Sequence, residues 1–320
     1  MTRILLVHPG AIGDTLVALP VLDALKRRYH QAHLCMIGHP GLLELLPGRS
    51  AVDEMRSIDG RDFTELLAGV ESLSDACRTF YRRFDLAIVW VDDHDGRIRQ
   101  SLQSLDISRV TVQSPELRKL GKESAAERLK GTLSELEGVE FGVGPSLRMT
   151  ESDKAEGAAW LVRHGISPDA SQVVAVHPGS GSPSKCWPAE RYAEVITRLL
   201  GDEIQIVLIG GPADREVIAR VEQHLGRQVS RLAGAELSTV AAVLSQCHAF
   251  FGNDSGVMHV ASALGLPAVA IFGSSDPKVW AIGTSVIPVR GDNPVQTILD
   301  TVRQALSRPV RTLLTPPSLC

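Results

Sequence analysis

Short apolar runs alternate with amphipathic or alanine-rich runs along almost the whole chain. Strands separated by helices favour parallel pairing, because a parallel connection needs a crossover long enough to hold a helix. The pattern therefore predicts an α/β protein with doubly wound parallel sheets. In the first half, strands are expected at 3–8, 33–38, 52–58, 86–91 and 110–112, and helices at 14–29, 41–46, 63–81 and 98–105.

The second half repeats this alternation. A chain of 320 residues is long enough for two domains. Each half opens with a strand followed by His-Pro-Gly, first at 8–10 and again at 177–179, which indicates two similar domains. We expect domains at 1–148 and 149–292, a terminal helix at 293–308 and a flexible tail at 309–320. Strands are expected at 173–177, 204–209, 228–232, 248–252, 268–272 and 286–289, and helices at 152–164, 188–200, 213–225, 238–245, 256–264 and 294–306.

The composition argues against several classes of protein. A formal net charge of −4 gives no support for a general nucleic-acid binder. The five cysteines are widely spaced, so neither a disulfide framework nor a zinc knuckle is predicted. The first strand lacks the pattern of a signal peptide, and no apolar run approaches the roughly 20 residues that span a bilayer. We therefore expect a cytoplasmic protein.

The segment 252–267 is the most informative motif. Asn253-Asp254-Ser255-Gly256 follows a buried strand and opens an alanine-rich helix. Such a turn directs backbone N–H groups and the positive helix end at an anion, for which a pyrophosphate is the natural candidate. His259 lies on the first turn of this helix; a packed histidine is the commoner interpretation, although the predicted anion site favours a functional one.

Two further loops carry polar residues after predicted strands. The loop 179–188 holds Ser180, Gly181 and Lys185, which can cradle and neutralise phosphate, although it contains no Walker A pattern. A solvated loop with an ordinary surface lysine explains the same residues equally well. Asp214 and Glu216 follow a strong strand and can bind ribose hydroxyls, or can serve as first-turn acids of a helix.

Two aspartates mark strand ends of the first half. Asp14 follows the first strand and opens a helix, so it can cap that helix, act as a general base on a hydroxyl, or do both. Asp93 belongs to Asp93-His94-Asp95, a spacing associated with metal and nucleotide-sugar diphosphates. For Asp93 we favour a solvated strand end, since aspartate is common in turns, with acceptor contact as a further use.

Taken in order, these motifs resemble glycosyltransferase family nine, the ADP-heptose:lipopolysaccharide heptosyltransferases. The resemblance covers nearly the whole chain, and its C-terminal motifs are specific as a set. It rests on Gly13-Asp14 with Leu19-Pro20, Lys185-Cys186-Trp187-Pro188, Leu232-Ala233-Gly234, the run Asn253 to His259, and Phe272-Gly273 with Asp276-Pro277.

The resemblance implies a GT-B architecture, in which two Rossmann-like domains face a cleft. It also implies inverting, metal-independent transfer of heptose from ADP-heptose to a lipopolysaccharide inner-core acceptor, with no cofactor. The terminal helix of this family can cross back to the first domain. The implied catalytic residues are Asp14 and Lys185; the donor-binding residues are Ser180, Gly181, Lys185, Asp214, Glu216, Asp254, Ser255, Gly256 and His259; the acceptor-binding residues are Gly13, His8 and Asp93.

The expected partners are a nucleotide-sugar and a glycolipid or glycan, with no nucleic acid and no obligate protein partner. Peripheral contact with the inner membrane surface is an option for the basic residues Arg97, Arg99, Arg118, Lys119 and Lys122, although we favour a solvated helix face for them. Three alternatives stay open at this point. They are a transferase of the same fold with another sugar or acceptor, a nucleotide-sugar epimerase, and a non-catalytic sugar-nucleotide binder.

Overall fold

The computed structural model describes residues 1–114, 123–134, 136, 138–142, 144, 146–167 and 172–308. The basic residues Arg118, Lys119 and Lys122 and the tail 309–320 lie outside the described residues. The chain divides into two compact units, Met1–Val143 and Gly144–Cys320.

The first unit is a parallel five-stranded sheet with helices. Its strands are β1 (Arg3–Val7), β2 (His33–Gly38), β3 (Glu54–Ser57), β4 (Leu86–Val89) and β5 (Arg109–Val112). Its helices are α1 (Ile12–Val17), α2 (Leu19–Arg28), α3 (Arg61–Ala68), α4 (Asp75–Tyr81), α5 (Arg97–Gln103) and α6 (Ala125–Gly131). The strand order is β3-β2-β1-β4-β5, and every pair is parallel. The order therefore reverses between β1 and β4.

Two helices predicted as continuous are broken, each for a local reason. The prediction of one helix at 63–81 was wrong, because Gly69 has a φ of 99°, a left-handed conformation that ends α3. The prediction of one helix at 14–29 was also wrong. Pro20 has no N–H to donate within a helix, and it lies in the first turn of α2, where none is needed. The helix expected at 41–46 is one 3₁₀ turn, Pro40–Leu42.

The second unit has the same strand order, extended by one strand. Its strands are β6 (Val173–His177), β7 (Gln205–Gly210), β8 (Ser230–Ala233), β9 (Ala249–Asn253), β10 (Ala268–Phe272) and β11 (Val286–Arg290). Its helices are α7 (Glu151–Arg163), α8 (Ala189–Gly201), α9 (Arg215–Leu225), α10 (Leu237–Leu244), α11 (Gly256–Ala263), α12 (Pro277–Trp280) and α13 (Val295–Leu306). The parallel sheet runs β11-β10-β9-β6-β7-β8, so the order reverses between β6 and β9.

This reversal positions the candidate site. In open α/β sheets, ligands bind outside the carboxyl ends of the strands where the strand order reverses. All residues of β6 and β9 are buried, as expected for central parallel strands covered on both faces. The loops that follow β6 and β9 therefore meet at the edge where a ligand is expected.

The terminal helix α13 belongs to the core of the second unit. Its apolar residues Ile298, Leu299 and Val302 are buried in a cluster with residues of α8, β9 and β10. The expectation that this helix packs back on the first domain stays a prediction. The apolar face of α13 is buried against the sheet of its own unit.

Candidate functional site

Asn253 joins the loop after β6 to the end of β9. Its side chain is fully buried, and its Nδ2 donates to the carbonyl oxygens of Pro178 (2.8 Å) and Gly179 (3.1 Å). Its Oδ1 accepts from the Trp187 N–H at 3.0 Å. The Asn253 side-chain amide therefore forms hydrogen bonds with three backbone groups of the loop after β6, which are not paired within a helix or a sheet. We did not name Asn253 as a site residue from the sequence, although its position directly before Asp254 was a signal.

Lys185, Asp254 and His259 form a charged cluster at this edge. Lys185 Nζ donates to Asp254 Oδ2 at 2.7 Å, and the Asp254 side chain is only 4% exposed while that of Lys185 is 34% exposed. His259 Nε2 lies 3.8 Å from Asp254 Oδ1. Burial lowers the pKa of His259, and the opposing effect of Asp254 does not overcome it. The cluster therefore presents one half-buried ammonium group, held in place by a buried carboxylate.

The start of α11 lies beside this cluster. Ser255 is the N-cap, and its Oγ accepts from the Met258 N–H at 3.3 Å. The preceding residue is tied to the loop after β6, since Ser180 Oγ donates to the Asp254 carbonyl at 3.0 Å. The structure thus brings the predicted Ser180, Lys185, Asp254, Ser255, Gly256 and His259 together. Gly181 lies in the same loop but is exposed, with open space where a Cβ would be.

Asp214 and Glu216 have different surroundings. Asp214 Oδ2 accepts from His177 Nε2 at 3.2 Å and from the Gly211 N–H at 2.8 Å. Burial alone would raise the pKa of Asp214, but the hydrogen bonds from His177 and from the Gly211 N–H outweigh it and hold that pKa below its usual value. Glu216 is exposed and pairs with Arg220 at 2.6 Å. The structure therefore brings Asp214, but not Glu216, to the candidate site.

His177 was missed by the sequence analysis as a site residue. It was noticed only as part of the repeated His-Pro-Gly. Its Nδ1 lies 3.1 Å from Ser255 Oγ, so the ring connects Asp214 with the start of α11. Gly179 is required next to it, because a Cβ there would lie 1.9 Å from Asp214 Oδ1.

A cavity of about 400 Å³ adjoins these loops at the carboxyl ends of β7 and β8. It includes Ala233 and Gly234 of the Leu-Ala-Gly motif, and Gly211, whose N–H binds Asp214. Pockets of a few hundred Å³ suit small-molecule ligands. Its remaining described lining residues are Pro212, Arg215, Ile218 and Arg231.

The end of β1 in the first unit holds His8 and Asp14. Burial lowers the pKa of His8 to about 4, so its ring is neutral at pH 7. Its Nδ1 accepts from the Gly10 N–H at 3.1 Å, and its buried Nε2 has no partner among the described residues. Asp14 Oδ2 accepts from the Ala11 N–H at 3.1 Å across the first turn of α1, in which Gly13 is buried. Asp14 is therefore a first-turn acid that reaches back to the helix start.

Asp93 caps α5 and lines a second cavity. Its two carboxylate oxygens accept from the N–H groups of Ile98 and Arg99, each at 3.0 Å. Among the described residues no cluster of three or more His, Cys, Asp or Glu is arranged to hold a metal. The cavity, about 380 Å³, lies at the ends of β4 and β5, and its lining includes Asp92, Asp93, His94, Arg99, Gln113 and Arg128. The buried Nε of Arg128 has no partner in the described part of the chain.

The sequence profile of glycosyltransferase family 9 (heptosyltransferase) matches residues 133–301, more than half of the chain. The chain belongs to glycosyltransferase family 9. This glycosyltransferase is 25% identical over 302 residues to lipopolysaccharide heptosyltransferase 2 of Salmonella typhimurium, covering 86% of this chain and 84% of that protein.

Two solved structures share the fold of this glycosyltransferase. The family 9 glycosyltransferase of Veillonella parvula superposes with a TM-score of 0.78 at 21% identity, over 96% of this chain and 97% of that one. Escherichia coli ADP-heptose LPS heptosyltransferase II superposes with a TM-score of 0.74, also at 21% identity, over 96% and 99%. The two parallel α/β units are those of the GT-B fold. In the described ranges no helix is long and apolar enough to cross a membrane.

Proposed function

We propose that this glycosyltransferase transfers a heptose from ADP-heptose to a hydroxyl group of a lipopolysaccharide inner-core acceptor, with inversion and without a metal ion. The observation that carries the proposal is the Lys185 ammonium beside the start of α11, at the point where the strand order of the second sheet reverses. The E. coli protein that shares this fold is an ADP-heptose LPS heptosyltransferase, which supports the choice of donor and acceptor.

The donor diphosphate would bind at the start of α11. The backbone N–H groups at a helix start and a lysine side chain are suited to an anion. Ser180 and Gly181 would contribute from the loop after β6, while Asp254 and His259 would orient Lys185 and contact the sugar. Hydrogen bonds to Asp254 already hold two of these residues together, since Ser180 donates to its carbonyl oxygen and Lys185 to its carboxylate.

The nucleoside would occupy the cavity at the ends of β7 and β8, next to the diphosphate loops. Ribose binding by Asp214 or Glu216 stays a prediction. The Oδ2 of Asp214 already accepts hydrogen bonds from His177 and from the Gly211 N–H, which favours a role in holding these groups in place. The carboxylate of Glu216 is exposed and accessible to solvent.

Asp14 would act as the general base. The acceptor oxygen attacks the anomeric carbon as the bond from that carbon to the ADP oxygen breaks, and Asp14 takes the hydroxyl proton. Lys185 and the helix start stabilise the negative charge that develops on the departing ADP. Since these groups neutralise the leaving group, the reaction as proposed needs no Mg²⁺.

The acceptor would be bound by the first unit, with His8, Gly13 and Asp93 as the candidate residues. The cavity beside Asp93 supports this assignment, because Arg99 and Arg128 suit an acidic group and Asp92 suits sugar hydroxyls. We also propose that the enzyme is cytoplasmic and contacts the inner membrane peripherally, where a glycolipid acceptor would be anchored. Membership of the family favours transfer over the epimerase and non-catalytic alternatives.

A thermal-shift and calorimetric panel of nucleotides tests the donor. We expect ADP and ADP-heptose to bind more tightly than UDP, GDP and their sugars. Preference for a uridine or guanosine nucleotide would refute the donor assignment. Transfer that persists in EDTA would support the metal-free reaction, whereas full loss restored by Mn²⁺ would refute it.

A further inference from the structure

His177 connects two loops of the second sheet through its buried ring. Nε2 is 3.2 Å from Asp214 Oδ2 and Nδ1 is 3.1 Å from Ser255 Oγ, and the residue is 4% exposed. We propose that His177 is a positioning residue of the donor site, which holds Ser255 as the N-cap of α11 while Asp214 selects the ring tautomer. This inference rests on the proposed function, because it assumes that a diphosphate binds at the start of α11.

The hydrogen bonds of Asp214 determine which nitrogen of His177 carries the hydrogen. We call the chain of hydrogen bonds from Asp214 through His177 to Ser255 the relay. The carboxylate is ionised at neutral pH, since its pKa lies below the usual value, and it accepts from the Gly211 N–H as well. An ionised carboxylate is only an acceptor, so His177 Nε2 carries the hydrogen. In the tautomer that carries its hydrogen on Nε2, Nδ1 accepts the Ser255 hydroxyl hydrogen. The Ser255 oxygen keeps a lone pair for the Met258 N–H, which lies 3.3 Å away.

The relay determines which atoms remain for a ligand. The Ser255 hydroxyl hydrogen is donated to His177 Nδ1, so Ser255 does not donate to a phosphate. The anion would instead be bound by the N–H groups of Gly256 and Val257, in the first turn of α11. Without the ring nitrogen, the Ser255 hydroxyl would rotate and the first turn of α11 would lose its cap.

The first unit shows that the His-Pro-Gly turn does not require this relay. His8 occupies the same place after the first strand of its own sheet. Its Nδ1 accepts from the Gly10 N–H within the same loop and lies 3.4 Å from Thr15 Oγ1, and its Nε2 has no partner in the residues described. The Asp214 carboxylate at Nε2 is therefore a specific addition around His177 and not a consequence of the turn.

Two substitutions separate positioning from packing. In His177→Asn the amide oxygen lies about as far from the backbone as Nδ1 did, so it can still accept from Ser255. In His177→Gln the amide extends about as far as Nε2, so it can still donate to Asp214 but leaves Ser255 without its acceptor. We expect ADP to bind about tenfold more weakly to the Gln variant, equivalent to about 1.4 kcal/mol, and the Asn variant to retain most of the affinity.

Adenosine serves as the control ligand for ADP, and His248→Gln serves as the control substitution for His177→Gln. Adenosine has no phosphate, so its affinity for His177→Gln, which keeps the bond to Asp214, should equal that of wild type. His248 Nδ1 accepts from the Val173 N–H at 3.1 Å, at the opposite edge of the same sheet. His248→Gln should lower the melting temperature without changing the ratio of ADP to adenosine affinity.

Three results would overturn the proposal. They are wild-type ADP affinity in a folded His177→Gln, equal loss of ADP and adenosine, and a ring in which ¹⁵N NMR of the full chain finds Nδ1 protonated. Asp214→Asn should shift the ring toward that second tautomer. If wild type binds neither ADP nor adenosine, the proposed function fails, whereas the NMR tautomer still decides whether Asp214 fixes His177.

Discussion

Asp14 offers the sharpest test of the proposed chemistry, because its two roles can be separated. Its Oδ2 accepts from the Ala11 N–H at 3.1 Å, so an alanine would lose a helix contact as well as a base. Asp14→Asn keeps an oxygen for that N–H but removes the basicity. A general base contributes about 10²–10⁴ in rate, which is roughly 3–5 kcal/mol of activation free energy. We expect kcat to fall by that factor in Asp14→Asn.

The assay is single-turnover transfer, with ADP affinity measured by calorimetry on the same samples. ADP affinity should stay within about twofold of wild type, since the substitution removes transition-state stabilisation and leaves donor binding intact. Asp14→Ala should show the same kinetic loss and about 1 kcal/mol less folding stability, from the missing helix contact. Retention of more than about a tenth of kcat in a folded Asp14→Asn would refute the assignment of Asp14 as the base.

Three other predictions concern the side chains of Lys185, His8 and Arg128. Lys185→Ala should weaken ADP binding and turnover together by about 10–100-fold, while Lys154→Ala, which breaks an exposed pair with Glu151, should change neither; unchanged kinetics would remove Lys185 from the site. The folded pKa of His8 is about 4 against 6.5 unfolded, so the unfolded state binds more protons between these values. Unfolding free energy, followed by urea titration, should therefore fall by up to about 3 kcal/mol as pH drops from 6.5 to 4, and His8→Gln should flatten that slope. Arg128→Ala should raise KM about tenfold for an acidic acceptor only, whereas Lys130→Ala on the same helix should not; an equal change for a neutral acceptor would count against the cavity.

Several elements followed directly from the sequence pattern. The strands from β6 to β10 were predicted with small errors at their ends, because each is a short apolar run bounded by turn residues. The broken helices were missed because apolar periodicity continues through Gly69 and Pro20. At these positions the backbone preference of a single residue outweighs the amphipathic pattern.

The candidate site divides in the same way. Lys185, Asp254, Ser255 and His259 were recognised from motifs, since each lies in a loop or first helical turn that follows a strand. The partners of those residues were not recognised. From its position after β7, Asp214 was predicted to be either a ribose ligand or a first-turn acid of a helix, and nothing in its local sequence points to His177.

The α/β class, the family motifs and the loops that carry polar groups could therefore be predicted from the sequence. These properties depend on residues close together in the chain, where periodicity and turn chemistry act. Only the tertiary structure decided that His177 meets Asp214, 37 residues away, and Ser255, 78 residues away. Those contacts exist because β6 lies between β7 and β9 in the sheet. The local pattern of hydrophobic residues in the sequence does not specify which strands become neighbours in the sheet.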